Sequence, residues 1–371
     1  MNILIGVLVL AGILGILFVT HWVVLVSILP FLNADSPWQR AALVIALIVL
    51  GLSFIFASVA AHYWENTFTR SWYFFSGIWL GLMANLVLLF TAAWIVIGVG
   101  VWMGGIVPLR PVMVVAAVLA VCITAYGVWA AMTPAVTRVT VHIANLPESW
   151  KGRTIVQLSD VHIGHIYRAE WLAGVVTQVN DLHPKMVVIT GDLFDGMDGV
   201  LEDSIMPLKD LQSDEGTFFV TGNHETYLGV ERVLSALRHT PLKILYDEVV
   251  DVDGLQLIGI DYPKEIGATT MESTLRSLAP QFSNKPNVLL FHSPVHVDDA
   301  KQLGVNLFLA GHTHRAQMWP LRYITYYMYQ GYDYGLHTEG DFNIFTTSGL
   351  GSWGPPVRTG TRSEIVAITL E

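Results

Sequence analysis

The pattern of apolar and polar positions divides the chain into two unlike parts. The first part contains four long apolar stretches, which run roughly over residues 3–31, 40–62, 72–103 and 111–131. A helix needs about 20 mostly apolar residues to cross a bilayer, and each stretch meets that length. Tryptophans such as Trp64 and Trp102 lie near the ends of these stretches, where amphipathic rings favour the membrane interface. The pattern therefore predicts an all-α transmembrane domain of about four helices over residues 1–132.

Beyond Met132 the apolar segments become short and alternate with polar ones. Helical spacing of apolar residues predicts helices over residues 171–182 and 230–238. Period-two or fully apolar runs predict strands, which we place at residues 137–143, 153–159, 186–190, 217–221, 255–260, 287–291, 307–309 and 343–347. Short strands that alternate with helices indicate an α/β layered domain over residues 133–371.

Charge separates the two parts further. Residues 1–132 hold 3 basic and 2 acidic side chains, and the remaining residues hold 17 and 28, so the second part has a net charge of 17 − 28 = −11. An acidic domain disfavours a nucleic-acid partner, which needs a basic track. The single cysteine, Cys122, excludes an intrachain disulfide and a thiolate metal cluster. The scarcity of charge within the apolar stretches also disfavours a transport pathway.

The basic residues that flank the stretches bear on membrane topology. Four spans would place the N-terminus and the second domain on the same side. Arg70, Arg138 and Lys151 flank that side, and Arg40 and Arg110 flank the other. This small excess favours a cytoplasmic second domain and leaves the side open. We expect a multi-pass protein of the cell membrane, with a bacterial inner membrane as its location. The oligomeric state stays open.

Side chains that can bind metal ions follow five of the predicted strands. Ligands commonly collect outside the carboxyl ends of strands in open α/β sheets. Five strand ends that all offer carboxylate, imidazole or amide groups are hard to explain as packing, and they predict a metal site. The residues are Asp160, His162, Asp192, Asp195, Asn223, His224, Glu225, His292, His312 and His314.

These residue types suit a dinuclear centre. Two metal ions about 3.5–4 Å apart clamp the attacking and leaving oxygens of a phosphoryl transfer. Cations so close repel each other, and a bridging carboxylate screens both, for which Asp192 is the natural choice. Neutral imidazoles complete the sites without excess charge. Asp160 and His162 point the same way if the backbone stays extended, and the same holds for His312 and His314.

The five blocks resemble the calcineurin-like metallophosphoesterases and occur in that family's order over roughly residues 150–371. The blocks read Asp160-x-His162, Gly191-Asp192-x-x-Asp195, Gly222-Asn223-His224-Glu225, His292 and Gly311-His312-x-His314. The run from Gly311 to Gln317, the tyrosine-rich sequence after it and the run from Ser348 to Arg358 are similar to the membrane-associated, YkuE-like subgroup. That subgroup usually has two glycines where this chain has Arg315-Ala316, a departure that bears on substrate specificity.

The resemblance implies a four-layer metallophosphoesterase β-sandwich flanked by helices, with two divalent metal ions. Mixed oxygen and nitrogen ligands suit Mn, Fe or Zn, and the identity of the metals stays open. It implies that Asp195 and Glu225 orient other groups, although Asp195 could equally cap the following turn. His224 would be a catalytic residue that is not a ligand, contacting the scissile phosphate and protonating the leaving oxygen. One ion would be held by Asp160, His162, Asp192 and His314, and the other by Asp192, Asn223, His292 and His312.

Sequence and resemblance together favour a membrane-anchored metal-dependent phosphoesterase. The expected reaction is hydrolysis of a phosphoester or pyrophosphate in a lipid-linked or amphipathic substrate, with the lipid bilayer as partner. One alternative is a phosphodiesterase for soluble nucleotides or cyclic dinucleotides. Another is a membrane receptor without activity, which the intact ligand set disfavours.

Three features outside the motifs allow more than one interpretation. The tyrosine-rich segment Tyr323–Tyr334 could form a lipid-facing flap or a loop that covers the core. Arg358 could pair with a substrate phosphate, although a solvated surface arginine is the commoner case. His165 is expected to be a surface or loop histidine.

Overall fold

The computed structural model describes residues 3–31, 36–196, 201–263 and 270–371. The chain divides into two compact units. The first comprises Met1–Trp129 together with Gly354–Val357, and the second comprises Ala130–Trp353 together with Arg358–Glu371. The division along the chain falls close to residue 132, and it assigns the short stretch Gly354–Val357 to the first unit.

The first unit is helical. Within the described residues, four of its helices are long and apolar enough to cross a membrane. Their bounds are α1 Ile3–Ile28, α2 Pro37–Tyr63, α3 Thr67–Trp102 and α4 Leu109–Met132. Asn66 caps α3, because its side-chain oxygen accepts hydrogen bonds from the backbone N–H groups of Phe68 and Thr69. The four predicted apolar stretches are therefore confirmed as helices.

The second unit contains two six-stranded sheets in its described residues. The order in the first sheet is β1-β12-β2-β3-β4-β5, and in the second β10-β11-β9-β8-β7-β6. Strands β2 to β5 run parallel, as do β7, β8, β9 and β11. The bounds are β1 Ala135–Val141, β2 Thr154–Leu158, β3 Met186–Thr190, β4 Thr217–Val220, β5 Leu242–Ile244, β6 Glu248–Val252, β7 Leu255–Gly259, β8 Asn287–Leu290, β9 Leu307–Ala310, β10 Gly335–Glu339, β11 Phe342–Thr346 and β12 Glu364–Leu370.

Helices cover the sheets. Residues Leu172, Val175, Val176 and Val179 recur at helical spacing in one of them and are buried. The predicted helices over 171–182 and 230–238 lie within two residues of the observed ones. The bounds are α5 Ala169–Asn180, α6 Leu201–Ile205, α7 Asn223–Leu228, α8 Val230–Leu237, α9 Met271–Leu278, α10 Val297–Gln302 and α11 Arg322–Met328.

In the described part of the second unit, three apolar clusters produce a four-layer arrangement. One lies between the sheets and contains Ile155 of β2 and Leu257 of β7. A second lies between the first sheet and helices α5 and α8, and it contains Val156. The third lies between the second sheet and helices α9 and α10. Ile155 and Val156 are neighbours in sequence and enter different clusters because successive strand residues point to opposite faces. The predicted α/β sandwich is confirmed.

Candidate metal centre

The candidate ligands lie at the carboxyl ends of strands from both sheets. Asp160 comes two residues after β2, Asp192 two residues after β3, and Asn223 opens α7 just beyond β4. His292 and His312 each follow a strand of the second sheet, β8 and β9. Because parallel strands end at the same edge of a sheet, the fold brings these residues together.

One group of buried side chains consists of Asp160, His162 and His314. Nε2 of His162 lies 3.0 Å from Nε2 of His314. Nε2 of His314 lies 3.3 Å from Oδ1 of Asp160. Both carboxylate oxygens of Asp160 also accept the backbone N–H of His312, at 3.0 Å. The Asp160 carboxylate thus joins this group to the backbone at His312.

A second group consists of Asp192, His292 and His312. Nε2 of His292 lies 3.0 Å from Oδ2 of Asp192 and 3.2 Å from Nδ1 of His312. The same nitrogen lies 3.2 Å from Oδ1 of Asn223. The amide of Asn223 thus adds an oxygen to this group.

Asp192 also belongs to a third group, with His162 and His224. Its Oδ2 lies 4.0 Å from Nε2 of His162 and 3.9 Å from Nε2 of His224. The same oxygen contacts His292 of the second group. The Asp192 carboxylate therefore lies between the two main groups of possible ligands.

The hydrogen bonds around His292 test whether these residues fit a cation. Nδ1 of His292 lies 2.8 Å from the carbonyl oxygen of Thr190. A carbonyl only accepts, so Nδ1 carries a proton, and the neutral ring has its lone pair on Nε2. That lone pair faces the oxygens of Asp192 and Asn223. A positive charge is needed between them, either a second proton on the ring or a metal cation. Mixed oxygen and nitrogen ligands suit divalent transition metals.

His314 fits a cation if its ring changes tautomer. Nη2 of Arg358 lies 3.1 Å from Nδ1 of His314. A guanidinium only donates, so Nδ1 accepts and the proton of the neutral ring sits on Nε2. That nitrogen faces Asp160 and His162, where a cation would bind. To bind a cation through Nε2 as a neutral imidazole, the ring would take the tautomer with its proton on Nδ1, and the guanidinium of Arg358 would no longer donate to that nitrogen.

Burial and neighbouring charges set the ionisation of the site. Burial lowers the pKa of His162 and of His314 well below the usual value. Burial, with help from His292, lowers the pKa of His312 to about 4. These rings are neutral at neutral pH, the form in which imidazole binds metals.

Asp192 and His292 shift each other's pKa in opposite directions: that of the histidine is raised and that of the carboxyl is lowered. Burial lowers the pKa of His292, but the Asp192 carboxylate more than offsets this and raises it to about 9. Burial raises the pKa of Asp192, and the facing His292 holds it well below the usual range nonetheless. Asp192 is therefore ionised, and its surroundings favour a positive charge next to it.

His224 lies beside both groups. Its Nδ1 donates to the carbonyl oxygen of Asp195 at 2.8 Å, which fixes the ring. Its ring packs edge-on against that of His162, with centroids 4.6 Å apart. Its backbone N–H donates to Oδ1 of Asp192 at 2.9 Å. The remaining ring nitrogen, Nε2, thus points toward the Asp192 carboxylate.

Glu225 forms hydrogen bonds with two loops of the site. Its Oε2 accepts the backbone N–H groups of Asp192 at 2.9 Å and Gly222 at 2.6 Å. Its Oε1 accepts the N–H of Phe194 at 3.2 Å. Burial raises the pKa of this carboxyl to about 7, with a further rise from Asp192, and the hydrogen bonds from Gly222 and Phe194 oppose the rise. Glu225 is in contact with the loop that carries Asp192 and with the turn before Asn223.

Asp195 lies close to the first group. Its Oδ1 is 3.7 Å from Nδ1 of His162, and its backbone carbonyl accepts from His224. Burial raises the pKa of its carboxyl well above the usual range, and the Asp192 carboxylate adds to the rise. The residue therefore touches two of the site's histidines, beyond any role in the local turn.

The backbone at the strand ends differs from the extended conformation that the sequence suggested. Asp160, His162 and Asp192 all have φ of 51°, in the left-handed region. His312 and His314 have φ of 71° and 47°. The reasoning from alternate residues of an extended strand is wrong here, because tight left-handed turns aim these side chains inward. Such strain, about 1–3 kcal/mol per residue, is typical of functional sites.

Close approach explains two glycines of the motifs. A Cβ on Gly222 would collide with Oδ1 of Asp192, and a Cβ on Gly311 would collide with Oδ2 of Asp160. Any side chain at these positions would displace a candidate ligand carboxylate.

Arg358 and Tyr262 take part in ways that the sequence did not reveal. Arg358 is 0% exposed and donates to the carbonyl oxygen of Ser348 and to His314, so the interpretation as a solvated surface arginine is wrong. Tyr262 lies against the site, with its ring centroid 5.8 Å from that of His292. Arg358 ends the run from Ser348 that resembles the YkuE-like subgroup, whereas Tyr262 belongs to no motif and no local signal marks it. His165, expected at the surface or in a loop, lies in a turn but is buried.

Comparison with known proteins identifies the domain. The sequence model of the family Calcineurin-like phosphoesterase matches residues 153–316, which include every candidate ligand. A Campylobacter jejuni metallophosphoesterase is 35% identical over 242 residues, 64% of this chain and 64% of that protein. A Bos taurus transmembrane protein with metallophosphoesterase domain is 34% identical over 265 residues, 65% of this chain and 58% of that protein.

A Bacillus subtilis metallophosphoesterase, YkuE, is 28% identical over 246 residues, 63% of this chain and 85% of that protein. The chain thus spans less than two thirds of the length of the Campylobacter and Bos relatives. The resemblance drawn from the sequence motifs is confirmed: residues 153–316 of this chain are a calcineurin-like metallophosphoesterase domain.

Proposed function

We propose that this chain is a membrane-anchored phosphohydrolase that uses two divalent metal ions to cleave a phosphoester or pyrophosphate. The observation that carries the proposal is the position of Asp192, whose Oδ2 lies 3.0 Å from His292 and 4.0 Å from His162, between two groups of ligand atoms. One ion would be held by Asp160, His162, Asp192 and His314, and the other by Asp192, Asn223, His292 and His312.

When bound, such ions act as Lewis acids on the attacking and leaving oxygens. Mn, Fe and Zn all suit the mixed oxygen and nitrogen ligands.

His224 is the catalytic residue of this proposal. Its Nδ1–H is held by the carbonyl oxygen of Asp195, so its Nε2 is directed toward the space beside Asp192. In that position the imidazolium can donate a hydrogen bond to a phosphate oxygen. It can then pass its proton to the leaving oxygen, as a general acid.

Features outside the site support one class of substrate. Among the described residues, four helices that are long and apolar enough to span a bilayer precede the domain, and a tether keeps a site at high effective concentration near the membrane. The net charge of −11 over residues 133–371 opposes binding to nucleic acid. These features support a lipid-linked or amphipathic phosphate as the substrate and the cell membrane as the location.

The Asp192→Asn variant tests the proposal. It removes the negative charge between the two groups at nearly constant volume, so bound metal and hydrolysis should both be lost. Full-length protein in detergent would be assayed for metal by mass spectrometry and for turnover of a chromogenic phosphodiester. Asp341→Asn is the control, because Asp341 is an exposed turn residue between β10 and β11. Normal metal content and turnover in Asp192→Asn would exclude Asp192 as a bridge.

A comparison of substrates tests the proposed preference for a lipid-linked or amphipathic phosphate. The same protein would be given lipid phosphates, nucleotide-linked lipids and soluble nucleotides at equal concentrations. We expect the highest kcat/KM for an amphipathic substrate. Preference for a soluble nucleotide or cyclic dinucleotide would contradict the membrane substrate while leaving the metal chemistry intact.

A further inference from the structure

An exposed apolar face lies on and just before helix α11, and we call it the Trp319–Met328 face. Its members are large side chains with substantial exposure, such as Tyr327 at 79% and Met328 at 66%. They are Trp319, Leu321, Tyr323, Ile324, Tyr326, Tyr327 and Met328. An exposed apolar cluster this dense on a soluble domain commonly marks an interaction surface.

The face is not held in place by burying its own apolar side chains. Helix α11 has no buried residue along its length, which the structure describes completely. Polar bonds hold the segment instead. Oγ1 of Thr325 donates to the carboxylate of Asp333 at 2.8 Å, and Oγ1 of Thr313 donates to the backbone oxygen of Asp333 at 2.7 Å. The interpretation of the whole tyrosine-rich segment as a core-covering loop is therefore wrong for α11, although Tyr332 does pack against the core.

The charge of this stretch is opposite to that of its domain. From Arg315 to Tyr332 the sequence contains two arginines and no acidic residue, whereas residues 133–371 carry a net charge of 17 − 28 = −11. The guanidinium of Arg322 stacks on Tyr323 at 5.0 Å, and that of Arg315 stacks on Tyr334 at 4.3 Å. In the part of the chain that the structure describes, neither forms a salt bridge. Apolar and aromatic side chains with flanking cations match an anionic lipid surface.

The face is continuous with the candidate metal centre. Tyr329 directly follows α11, and its ring lies 6.2 Å from the ring of His312. The exposed side chains lie on a short helix rather than in a groove, so they suit a broad surface better than a single lipid tail. Tyrosine and tryptophan rings favour the boundary between head groups and acyl chains, where a lipid phosphate is found.

We propose that the Trp319–Met328 face docks on an anionic bilayer surface and presents the metal centre to phosphate groups at that surface. The inference rests on the proposed function for the nature of the substrate. Because the chain is tethered, docking is an intramolecular equilibrium between a docked and an undocked domain. Arg315 and Arg322 bias it toward anionic lipid.

Spin labels on the full chain in nanodiscs test this surface. In a Cys122→Ser background, Tyr327→Cys carries the label, and Tyr246→Cys, another exposed tyrosine, is the matched control. In nanodiscs of phosphatidylcholine with phosphatidylglycerol, oxygen should relax the label at 327 more than a water-soluble nickel complex does. The label at 246 should show the reverse. Lipid contact at neither position, or equal contact at both, would overturn the proposal.

Two variants measure the contributions of charge and apolar contact. Arg322→Gln should lower the ratio of docked to undocked label by roughly fivefold, the effect of about one cation at an anionic membrane surface. Ile324→Asp should lower the ratio further, because it places a charge on the apolar face. An unchanged ratio in either variant, or an equal ratio in pure phosphatidylcholine, would contradict docking on anionic lipid.

Turnover of a small soluble phosphodiester in the same nanodiscs separates this inference from the proposed function. If the protein hydrolyses the diester while the label at 327 stays exposed to water, the docking surface is overturned and the proposed activity stands. A docked label without hydrolysis in the metal-loaded protein would instead overturn the proposed activity and leave the surface supported.

Discussion

Replacement of Glu225 by alanine would remove a buried carboxylate that holds two loops of the candidate site. The carboxylate accepts three backbone N–H groups, from Asp192, Gly222 and Phe194. A buried donor left without a partner costs about 1–3 kcal/mol. Three such donors would cost roughly 3–9 kcal/mol, and water that enters the vacated space would satisfy some of them. We therefore expect the free energy of local opening around the site to fall by about 3–5 kcal/mol.

Glu225→Gln is the matched variant. Its single carbonyl oxygen can still accept two of the three N–H groups, but its NH2 group faces the third. One unsatisfied donor implies a cost of about 1–3 kcal/mol, so the glutamine variant should lie between the wild type and the alanine variant. Both variants lose the negative charge near Asp192, which relieves some repulsion and lowers the cost of each to a similar extent.

Hydrogen exchange read by mass spectrometry measures this loss where it occurs. In full-length protein, the amides of Asp192, Gly222 and Phe194 should exchange about 10²- to 4 × 10³-fold faster in Glu225→Ala, since every 1.4 kcal/mol corresponds to a factor of ten. Peptides from β7, Leu255–Gly259, serve as the internal control, and their protection should change little. Equal acceleration in β7 would indicate global destabilisation. Acceleration under about tenfold at the three amides would refute the assigned role of Glu225.

Three further predictions concern the catalytic residue, a glycine and the helices. His224→Ala should keep its bound metal and slow turnover by about 10²–10⁴-fold, and equal slowing of good and poor leaving groups would argue against proton donation. Gly311→Ala should reduce metal content because its Cβ collides with Asp160, whereas Gly174→Ala, with open space in α5, should keep its metal and gain about 0.5–1 kcal/mol in stability by thermal melting. A chain that begins at Ala130 should hydrolyse a small soluble diester at nearly the full-length rate and lose rate on a bilayer-embedded substrate. Parallel losses on both substrates would instead show that the domain depends on the helices structurally.

The sequence alone determined the elements whose signal is local. Long apolar stretches predicted α1 to α4, because a helix that meets lipid needs an apolar surface on every side. Short apolar runs predicted the central strands β2, β3, β4, β8 and β9, which are buried on both faces. Strand β10 was missed because it is largely exposed and polar, whereas the apolar run of β12 could have been recognised.

The candidate ligands were also readable from the sequence, for a physical reason. Parallel strands end at one edge of a sheet, so polar residues that follow several such strands must converge there. The motif residues Asp160, Asp192 and His292 are examples, and the structure places their side chains at neighbouring strand ends.

Only the tertiary structure decided the contacts between distant segments. Glu225 reaches the N–H of Asp192 because β3 and β4 pair side by side, and Arg358 reaches His314 across 44 positions in sequence. Composition could not decide whether the tyrosines of α11 would be buried, since a tyrosine suits a core and an interface equally well. Their exposure is a property of how the whole domain packs, because burial depends on which residues from elsewhere in the chain lie above a given side chain.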